Sequence, residues 1–545
     1  MKLTYCSPEA EGIPAAAIRR LSRRWHDEGI GIHSFMLARH GHVIASGEYG
    51  PWRLDERHQL FSLSKTFTAT AIGFLVAEGR LAVTDLLLDH FGERLPREAC
   101  AGMQEMTVRH LLTMNTGHDA SVNEVFGGGP EASWVDRFLR SYVPYQGGRH
   151  FLYNTPATYM LSALVQKITG QTLGDYLRPR LIEPLGIDAG NWWEMSPEGI
   201  ATGGFGYNLS CRDILRFGLF LLRRGQADGR QLLPAAWFDE ASRAWSDNAS
   251  HEPGETPHDW NQGYGYQIWR CQPAGVYRGD GAFGQFCVVM PEQDMVFAAT
   301  SGTDNLQGIL SAVWEELLPA VDMAAGAAGT AGAAGTAGAA GTALDEPLRL
   351  VEELAVNRET EADIETDLLA DFLSLTGGRS YRTSCNALDL LNITDFEFLP
   401  AEAAAAAGGP DPLSLEAEPD FLLRIGLETG DEGAPDRAHW LIPLRREGWL
   451  RWTQSEARAI QLNRAAPKRD RHDLRPAVLQ NFASRVSLRP GSEPGCFELL
   501  LDVAVLSTPA TLRFSFIIAE SWLDLSYGLA PAFDDRRQNL TAAVR

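Results

Sequence analysis

Residues 58–79 read HQLFSLSKTFTATAIGFLVAEG, and this stretch decides how the rest of the chain is interpreted. From Thr68 to Gly79, eleven of twelve residues are apolar, small or hydroxylated, which is typical of a helix buried on most sides. Ser62, Ser64 and Lys65 lie at its entrance. A lysine is rarely removed from water without a partner, so either its amine reaches solvent or a neighbouring group uses it as a cation or a base.

Ser62 and Lys65 form an S-x-x-K pattern, in which residues three apart share one face of a helix. Lys65 can then reach the Ser62 hydroxyl, and burial and the helix dipole lower the lysine pKa so that a neutral amine becomes accessible as a base. The alternative is an N-cap serine beside a lysine that extends to solvent. Ser64 has either a structural role or donates a hydrogen bond within the site.

Composition excludes several classes of function. The chain has 545 residues and a formal net charge of −22, which argues against nucleic-acid binding because that activity requires a basic face. The N-terminus lacks the apolar run of a secretory signal, and no stretch of eighteen uninterrupted apolar residues occurs, so we expect a cytoplasmic protein that does not enter the membrane.

The residues that usually bind metals show no suitable spacing. The seven cysteines are scattered without a C-x-x-C pair, and no histidines have H-E-x-x-H spacing. We therefore expect reduced thiols, no metal site and no cofactor.

A repeat divides the chain. Residues 324–343 form a near-perfect Ala/Gly/Thr repeat that cannot bury enough surface to order itself, so we predict a flexible linker there. Residues 1–323 and 344–545 then form two domains.

The two predicted domains differ in their secondary-structure patterns. In the first, a hairpin pattern around His40-Gly41 is followed by helical periodicity and then by strand patterns from about residue 263 to 302, which predicts an antiparallel sheet whose first and last strands meet, with helices packed on it. In the second, a helical start over 348–375 precedes short alternating strands, which indicates an antiparallel β-sandwich or partial barrel. The sequence of the second domain does not indicate a function.

Two later stretches of the first domain add to the S-x-x-K pattern. FLYNTPATYMLSALVQKITG places Tyr153, Asn154 and Thr155 just before a helix, and YRGDGAFGQFCVVMP begins a strand with glycines that let the backbone approach a ligand. Taken alone, Tyr153 could equally be a core tyrosine next to an N-cap residue.

In these stretches the sequence resembles the serine β-lactamase-related hydrolases, which include class C β-lactamases, D-Ala-D-Ala peptidases, D-aminopeptidases and related esterases. The resemblance covers about residues 5–320 and rests on FSLSKTFTA, TVRHLLTMNTG, YNTPATYMLSALVQKITG, EPLGI, and GYGYQIW through GAFGQF, in the family's order. It implies an α/β (α+β) domain of β-lactamase/transpeptidase type, with an antiparallel sheet and a helical cluster.

The resemblance also implies roles for individual residues. Ser62 would be the nucleophile, Lys65 its proton partner, and Tyr153 the catalytic tyrosine hydrogen-bonded to both. The backbone N–H groups of Ser62 and Ala282 would form the oxyanion hole. Thr155 takes the place where the family usually has asparagine, so Thr155, with Asn154 beside it, is a substrate-binding candidate.

The third motif departs from the family pattern of a lysine or histidine, a small or hydroxyl residue and a glycine. Here the aligned residues are Gly279, Asp280 and Gly281, so the cation is missing. Arg278 is adjacent, but side chains alternate along a strand and we expect it to face away from the cleft. Asp280 is then either part of a turn or an anion that faces the substrate.

Together these observations predict a serine hydrolase that cleaves a small ester or amide through an acyl-enzyme on Ser62, with weak or no activity on β-lactams. The alternatives are a D-amino-acid peptidase or amidase, and a ligand-binding or sensor domain without turnover. The sequence identifies no protein partner.

Overall fold

The computed structural model describes residues 1–95, 100–129, 131–249, 258–321, 348–352, 366–376, 380–383, 393–400, 414–415, 419–428, 437–444, 450–454, 480–491, 496–505, 511–519, 522–530 and 538–544. These residues divide into two compact units. The first comprises the described parts of Met1–Tyr49 and Arg53–Glu352, and the second comprises Gly50–Trp52 with the described parts of Glu353–Ala465 and Pro476–Arg545. The predicted linker over 324–343 lies outside the described residues.

The first unit is built on one large sheet. Its strands and those of two small sheets are β1 (Thr4–Tyr5), β2 (Ile32–Arg39), β3 (His42–Tyr49), β4 (His58–Gln59), β5 (Trp192–Trp193), β6 (Tyr207–Leu209), β7 (Gln226–Ala227), β8 (Arg230–Gln231), β9 (Trp269–Arg270), β10 (Tyr277–Gly281), β11 (Gln285–Met290), β12 (Met295–Ser301) and β13 (Leu348–Glu352). The order in the large sheet is β1-β3-β2-β12-β11-β10-β9, and β13 also pairs with β3.

The predicted hairpin and the meeting of the chain's early and late strands are both confirmed. His40 and Gly41 have φ of 49° and 85°, the left-handed conformation that a tight two-residue turn between β2 and β3 requires. Strand β12 pairs antiparallel with β2, with Phe297 opposite Leu37. The late strand β10, which carries the third motif, is thereby held in the same sheet as the hairpin.

Helices cover both faces of this sheet. They are α1 (Ala15–Asp27), α2 (Ser64–Ala77), α3 (Leu87–Phe91), α4 (Ala101–Gln104), α5 (Val108–Leu112), α6 (Trp134–Leu139), α7 (Thr155–Thr169), α8 (Leu173–Leu177), α9 (Glu183–Leu185), α10 (Cys211–Leu222), α11 (Ala235–Ala241) and α12 (Leu306–Ala312). Trp25 of α1 packs on the rings of Phe35 and Phe297. All residues of β2, β11 and β12 are buried, as expected for strands covered on two faces.

Helix α2 is buried along most of its length, as predicted, and polar groups fix its position. Thr66 Oγ1 donates to the backbone oxygen of Gln267 at 3.0 Å. The Gln267 side chain in turn accepts from Thr158 of α7 and donates to the carbonyl oxygens of Leu111 and Leu112 of α5. One buried glutamine therefore ties three helices together directly behind the predicted site.

The second unit is an antiparallel sheet with one helix. The helix is α13 (Thr366–Thr376), and the strands are β14 (Ser380–Thr383), β15 (Ile393–Pro400), β16 (Ser414–Leu415), β17 (Phe421–Glu428), β18 (Arg437–Leu444), β19 (Leu450–Gln454), β20 (Gln480–Pro490), β21 (Phe497–Val505), β22 (Thr511–Ile518), β23 (Trp522–Ala530) and β24 (Gln538–Val544). The order is β16-β19-β20-β21-β22-β23-β24-β14-β15-β17-β18.

This sheet curves around α13. The Phe372 ring contacts Phe398, Phe421 and Phe497, which lie on strands from both halves of the order. Strand β18, at one end of the order, is also bonded to β20 near the other end, because Ser484 Oγ donates to the Pro443 carbonyl. The antiparallel, β-rich character predicted for this part of the chain is confirmed.

One secondary-structure prediction for this part was wrong. Residues 348–352 form the strand β13, and the helix begins at Thr366 instead. Leu348 to Glu352 run parallel to Ala45–Tyr49 of β3 and therefore belong to the first unit. The open edge of β3 supplies backbone partners that the local sequence does not reveal.

Among the described residues, no helix combines the length and the apolar character that crossing a membrane requires.

Candidate active site

The entrance of α2 carries the reactive pair predicted from S-x-x-K. A short 3-10 turn, Phe61–Leu63, runs directly into α2, so Ser62 and Lys65 lie on one face. Lys65 Nζ donates to Ser62 Oγ at 3.0 Å and to the carbonyl oxygen of Gly204 at 2.7 Å. The Lys65 side chain is only 1% exposed. Its amine therefore does not extend to solvent. This excludes the alternative of an N-cap serine beside a solvent-exposed lysine.

Burial changes the proton affinity of this amine. Desolvation lowers the pKa of Lys65 to about 7, with the Asp280 carboxylate acting in the opposite direction. A substantial fraction of Lys65 is then neutral near physiological pH, where an unperturbed lysine is almost fully charged. A neutral amine 3.0 Å from a serine hydroxyl can accept its proton.

Tyr153, immediately before α7, is the third member of the cluster. Its hydroxyl is hydrogen-bonded to Ser62, and Lys65 Nζ lies 4.9 Å from the centre of its ring. Burial raises the pKa of Tyr153 above its usual value, and the nearby Asp280 charge acts in the same direction. The residue is therefore a neutral phenol that can donate a proton. The structure brings together Ser62, Lys65 and Tyr153.

Two phenylalanines with left-handed backbone flank the predicted oxyanion donors. Phe61, which precedes Ser62, has φ of 47°, and Phe283, which follows Ala282, has φ of 62°. Residues other than glycine adopt this conformation at a cost and mostly where the surrounding structure enforces it. The two rings pack edge to face, with centroids 5.4 Å apart. This contact joins the turn that carries Ser62 to the turn that carries Ala282.

Gly281 allows the same two segments to approach closely. A Cβ atom at Gly281 would overlap the carbonyl oxygen of Leu60 and lie 3.2 Å from the backbone nitrogen of Leu63. Only glycine fits there without moving the backbone on one side. Ser62 lies at the start of a helical segment, where backbone N–H groups have no intrahelical acceptor, and Ala282 lies in the turn after β10. The close approach at Gly281 therefore brings together the two turns that carry these N–H groups.

The two charged residues of the third motif pair with each other. Arg278 and Asp280 share one face of β10, and Arg278 Nε donates to Asp280 Oδ2 at 2.9 Å. Asp280 is in the strand, so it does not form a turn, and side-chain alternation puts Arg278 and Asp280 on the face of β10 opposite to Gly279. Both side chains are buried, so this part of the site carries a neutral ion pair.

Gly279 faces the opposite way, toward α2. A Cβ atom at this position would lie 2.5 Å from Thr66 Oγ1 and 2.6 Å from Leu63 Cδ1. A side chain of any size would therefore require Thr66 and Leu63 to move. The packing around Gly279 therefore leaves no room for the lysine or histidine that the family pattern has at this position.

The two residues after Tyr153 have different environments. Asn154 is fully buried, and its Nδ2 lies 3.2 Å from His118 Nδ1 and 3.4 Å from Thr116 Oγ1, so its side chain contacts the protein interior. Thr155 is partly buried and packs against Gly204, whose carbonyl oxygen binds Lys65. Of these two substrate-binding candidates, Thr155 is the one beside the cluster.

The remaining polar residues have structural partners. Ser64 Oγ accepts from the backbone N–H of Tyr207 at 3.2 Å, which supports the structural role for this serine. His118 Nε2 lies 2.8 Å from Ser141 Oγ, and burial lowers the pKa of His118 to about 4. Within the described ranges, no group of three or more histidine, cysteine or acidic side chains is arranged to hold a metal ion.

Sequence reasoning missed two groups next to the cluster. The Gly204 carbonyl holds the Lys65 amine, and the glycine-rich run TGGFG before β6 was the available signal for it. The Trp269 ring stacks on Tyr153 with centroids 5.3 Å apart and an interplanar angle of 20°. Trp269 lies within the aromatic stretch GYGYQIW, but nothing local indicates which of its rings reaches Tyr153.

We call Phe61–Lys65 the helix side of the site and Arg278–Ala282 the strand side.

Comparison with known proteins places the chain in a family. The family model described as Beta-lactamase matches residues 17–316. The chain is 23% identical over 307 residues to a 6-aminohexanoate-dimer hydrolase of Paenarthrobacter ureafaciens, covering 53% of this chain and 78% of that protein. It is 28% identical over 193 residues to the esterase EstB of Burkholderia gladioli, covering 31% of this chain and 48% of that protein.

Among solved structures, the chain is similar to a putative 6-aminohexanoate-dimer hydrolase from Bacillus anthracis, with 19% identity, a TM-score of 0.47, and coverage of 58% of this chain and 86% of that one. The family model covers more than half of the chain and includes Ser62, Lys65, Tyr153 and the third motif. This chain belongs to the beta-lactamase family.

Proposed function

We propose that the protein is a serine hydrolase that cleaves a small ester or amide through an acyl-enzyme on Ser62. Its family, and relatives named as hydrolases and esterases, support a hydrolase acting on such bonds. The observation that carries the serine mechanism is the buried Lys65 amine 3.0 Å from the Ser62 hydroxyl, with a pKa lowered to about 7.

In the acylation step, Ser62 Oγ attacks the substrate carbonyl carbon while its proton passes to the neutral Lys65 amine. The carbonyl oxygen gains negative charge, which the backbone N–H groups of Ser62 and Ala282 stabilise. When the tetrahedral intermediate collapses, the leaving oxygen or nitrogen takes a proton from the Tyr153 hydroxyl, and Lys65 returns its proton to Tyr153. The acyl-enzyme is then neutral at both groups.

In the deacylation step, water takes the place of the leaving group. Lys65 accepts a proton from water, directly or through Tyr153, as the water oxygen attacks the acyl carbon. Ser62 Oγ then leaves the acyl carbon and takes this proton back from Lys65, directly or through Tyr153, and the acid product is released. Besides the substrate and water, these steps use only groups of the protein.

The strand side supports a preference among substrates. β-Lactams and peptidoglycan stem peptides carry a carboxylate next to the scissile bond, and a free cation in the third motif can attract it. A charge-assisted hydrogen bond of this kind is worth about 1.5–3 kcal/mol. Here Arg278 is already paired with Asp280, and Gly279 offers no cation. We therefore expect poor hydrolysis of penicillins and cephalosporins, and a preference for substrates without a carboxylate at that position.

The test is pre-steady-state kinetics with a p-nitrophenyl ester, together with labelling by a fluorophosphonate. A burst of p-nitrophenolate close to one equivalent, followed by steady turnover, is expected for an acyl-enzyme whose hydrolysis is slow. Mass spectrometry should locate the fluorophosphonate on Ser62. A burst without turnover would indicate a sensor instead, and an adduct on another serine would refute the mechanism.

A further inference from the structure

A cavity of about 440 Å³ opens on the loop that leads to Tyr153. It is lined by Tyr145, Gln146, Arg149 and His150. All four residues are exposed, and Tyr145 is 51% exposed although it is a large aromatic side chain. None of these residues has a part in the acyl-transfer steps, so the cavity needs a separate explanation.

The loop around the cavity is held in place. The backbone N–H of Tyr145 donates to the Gly117 carbonyl at 3.0 Å, and that of Gly148 donates to the Asn115 carbonyl at 2.8 Å. Gly147 lies directly on the His110 ring, since a Cβ atom there would overlap that imidazole. A binding surface that is fixed before the ligand arrives loses less entropy on binding.

The lining residues suit an anion. Among the described residues, the Arg149 side chain has no ion-pair or hydrogen-bond partner, in a protein with a net charge of −22. A guanidinium presents a planar set of donors that matches a carboxylate with two parallel hydrogen bonds. The Gln146 amide and the His150 ring add further donors, and the Tyr145 ring packs edge to face on His150 with centroids 5.7 Å apart.

The cavity is also within reach of the reacting bond. His150 precedes Tyr153 by three residues, so their Cα atoms lie no more than about 11 Å apart even in a fully extended chain. The Tyr153 hydroxyl is bonded to Ser62. This separation limits how far the cavity can lie from Tyr153, and a flexible acyl chain or alcohol that covers the distance would join Ser62 to the cavity.

We propose that this cavity binds a carboxylate at the far end of the substrate, with Arg149 as its principal partner. This inference rests on the proposed function for the position of the scissile bond. The inference distinguishes two positions of a carboxylate on the substrate. A carboxylate next to the scissile bond meets the neutral Arg278–Asp280 pair, whereas a carboxylate at the distal end meets an unpaired arginine.

The experiment compares matched p-nitrophenyl esters by release of p-nitrophenolate. Mono-p-nitrophenyl suberate carries a distal carboxylate, and p-nitrophenyl methyl suberate has the same chain with that carboxylate capped. We expect kcat/KM to be about tenfold higher for the acid, through a lower KM. Mono-p-nitrophenyl succinate, whose carboxylate is too close to the ester to reach the cavity, should show no such advantage over its methyl ester.

Arg149→Gln should bring the ratio of the two suberate kcat/KM values to about one, and Arg149→Lys should restore part of it. Arg140→Gln removes the same charge from an exposed position outside the cavity and should leave the ratio as in the wild type. The same series with the carboxylate on the alcohol, as acetate esters of ω-hydroxy acids, covers the opposite orientation of the substrate.

Equal rates for acid and capped ester in both orientations would overturn the inference, as would a preference that survives in Arg149→Gln. Binding of monomethyl suberate to Ser62→Ala, measured by calorimetry, separates this inference from the proposed function. Binding that is lost in the Arg149→Gln double variant supports the site even if no ester is hydrolysed. Absence of binding in a protein that turns over neutral esters refutes the site alone.

Discussion

The helix side, Phe61–Lys65, and the strand side, Arg278–Ala282, use their charged residues in opposite ways. Lys65 is buried without a carboxylate bonded to it, so its pKa falls to about 7 and its amine is available for proton transfer. Arg278 is also buried, but its Nε is bonded to Asp280, so its charge is neutralised locally. The two sides lie close together: a Cβ atom at Gly281 would overlap the carbonyl oxygen of Leu60, the residue before the helix side.

The difference shows how one site separates chemistry from recognition. A buried amine without a counter-ion is costly to keep charged, and this cost makes it a base. A buried ion pair is costly to break but has little net charge for a ligand. In our proposal the helix side supplies reactivity, and the strand side supplies backbone donors with no strong preference for an anion next to the reacting carbonyl.

The largest effect should follow removal of the nucleophile. Ser62→Ala is expected to lower kcat by at least about a thousandfold and to abolish fluorophosphonate labelling, since loss of a nucleophile removes the acyl-enzyme route altogether. The matched control is Ser64→Ala, which should keep the labelling because Ser64 Oγ only accepts from the Tyr207 N–H. Esterase rates and intact-mass measurements check both. Labelling that disappears in the control and persists in Ser62→Ala would reverse the assignment.

Removing either proton-transfer group should have the next largest effect. Lys65→Ala and Tyr153→Phe are each expected to lower kcat by about a hundredfold or more, the usual scale for a lost acid or base. Stopped-flow measurement of the p-nitrophenolate burst shows whether acylation itself is slowed. Near-wild-type burst rates in either variant would mean that the residue only fills space, as Trp269, stacked on Tyr153, does in our interpretation.

The contact between the two sides can be broken at Gly281. Gly281→Ala places a methyl group on the Leu60 carbonyl, so the strand or the Ser62 turn must move. A displacement of about 1 Å in a catalytic group can cost up to about a hundredfold in rate, and we expect a kcat loss of between tenfold and a hundredfold. Gly174→Ala, in helix α8, is a comparison in which the added Cβ meets no neighbour and the backbone is not left-handed. An unchanged kcat in Gly281→Ala would indicate that the Ala282 N–H is not part of the oxyanion hole.

Removing the Asp280 carboxylate would give the strand side a net positive charge. Asp280→Asn leaves the buried Arg278 charge without its carboxylate, so the strand side becomes net positive and attracts a substrate carboxylate next to the scissile bond. We expect the ratio of kcat/KM for such a substrate to that for its methyl ester to rise by about tenfold over the wild type. Asp27→Asn, an exposed position with the same change in charge, should leave this ratio unchanged. A wild type that already prefers the carboxylate would show that Arg278 is free to bind it.

The same variant should shift the pH profile by a smaller amount. Lys65 acts as a base only when neutral, so wild-type kcat/KM should rise with pH through about 7. The Asp280 carboxylate raises the pKa of Lys65, so its removal lowers that pKa and moves the rising limb to lower pH. Kinetics on a neutral ester from pH 5 to 9 measure the shift. A limb that moves to higher pH would contradict the proposed electrostatic role of Asp280.

Local patterns were sufficient to predict much of the first unit. The β2–β3 hairpin, the buried α2, the helices α5 and α7 to α9 and the late antiparallel strands follow from periodicity and turn residues, and the family match confirms the fold class. The prediction failed at residues 348–352, where the partner strand β3 lies about three hundred residues away in sequence. The cytoplasmic location and the domain boundary near 324–343 stay predictions.

The sequence by itself determined the pairing of Ser62 with Lys65, because three-residue spacing on a helix places both side chains on one face whatever surrounds them. It also predicted that the glycines at the start of this late strand let the backbone approach a ligand, whereas the close approach of Gly281 to Leu60 was found only in the structure. Only the tertiary structure decided that Gly204 holds the lysine amine, that Trp269 stacks on Tyr153 and that Arg278 neutralises Asp280. The first two contacts join residues more than a hundred positions apart, and the third depends on which face of a buried strand meets the site. Such contacts depend on how the whole chain packs, and no local pattern records them.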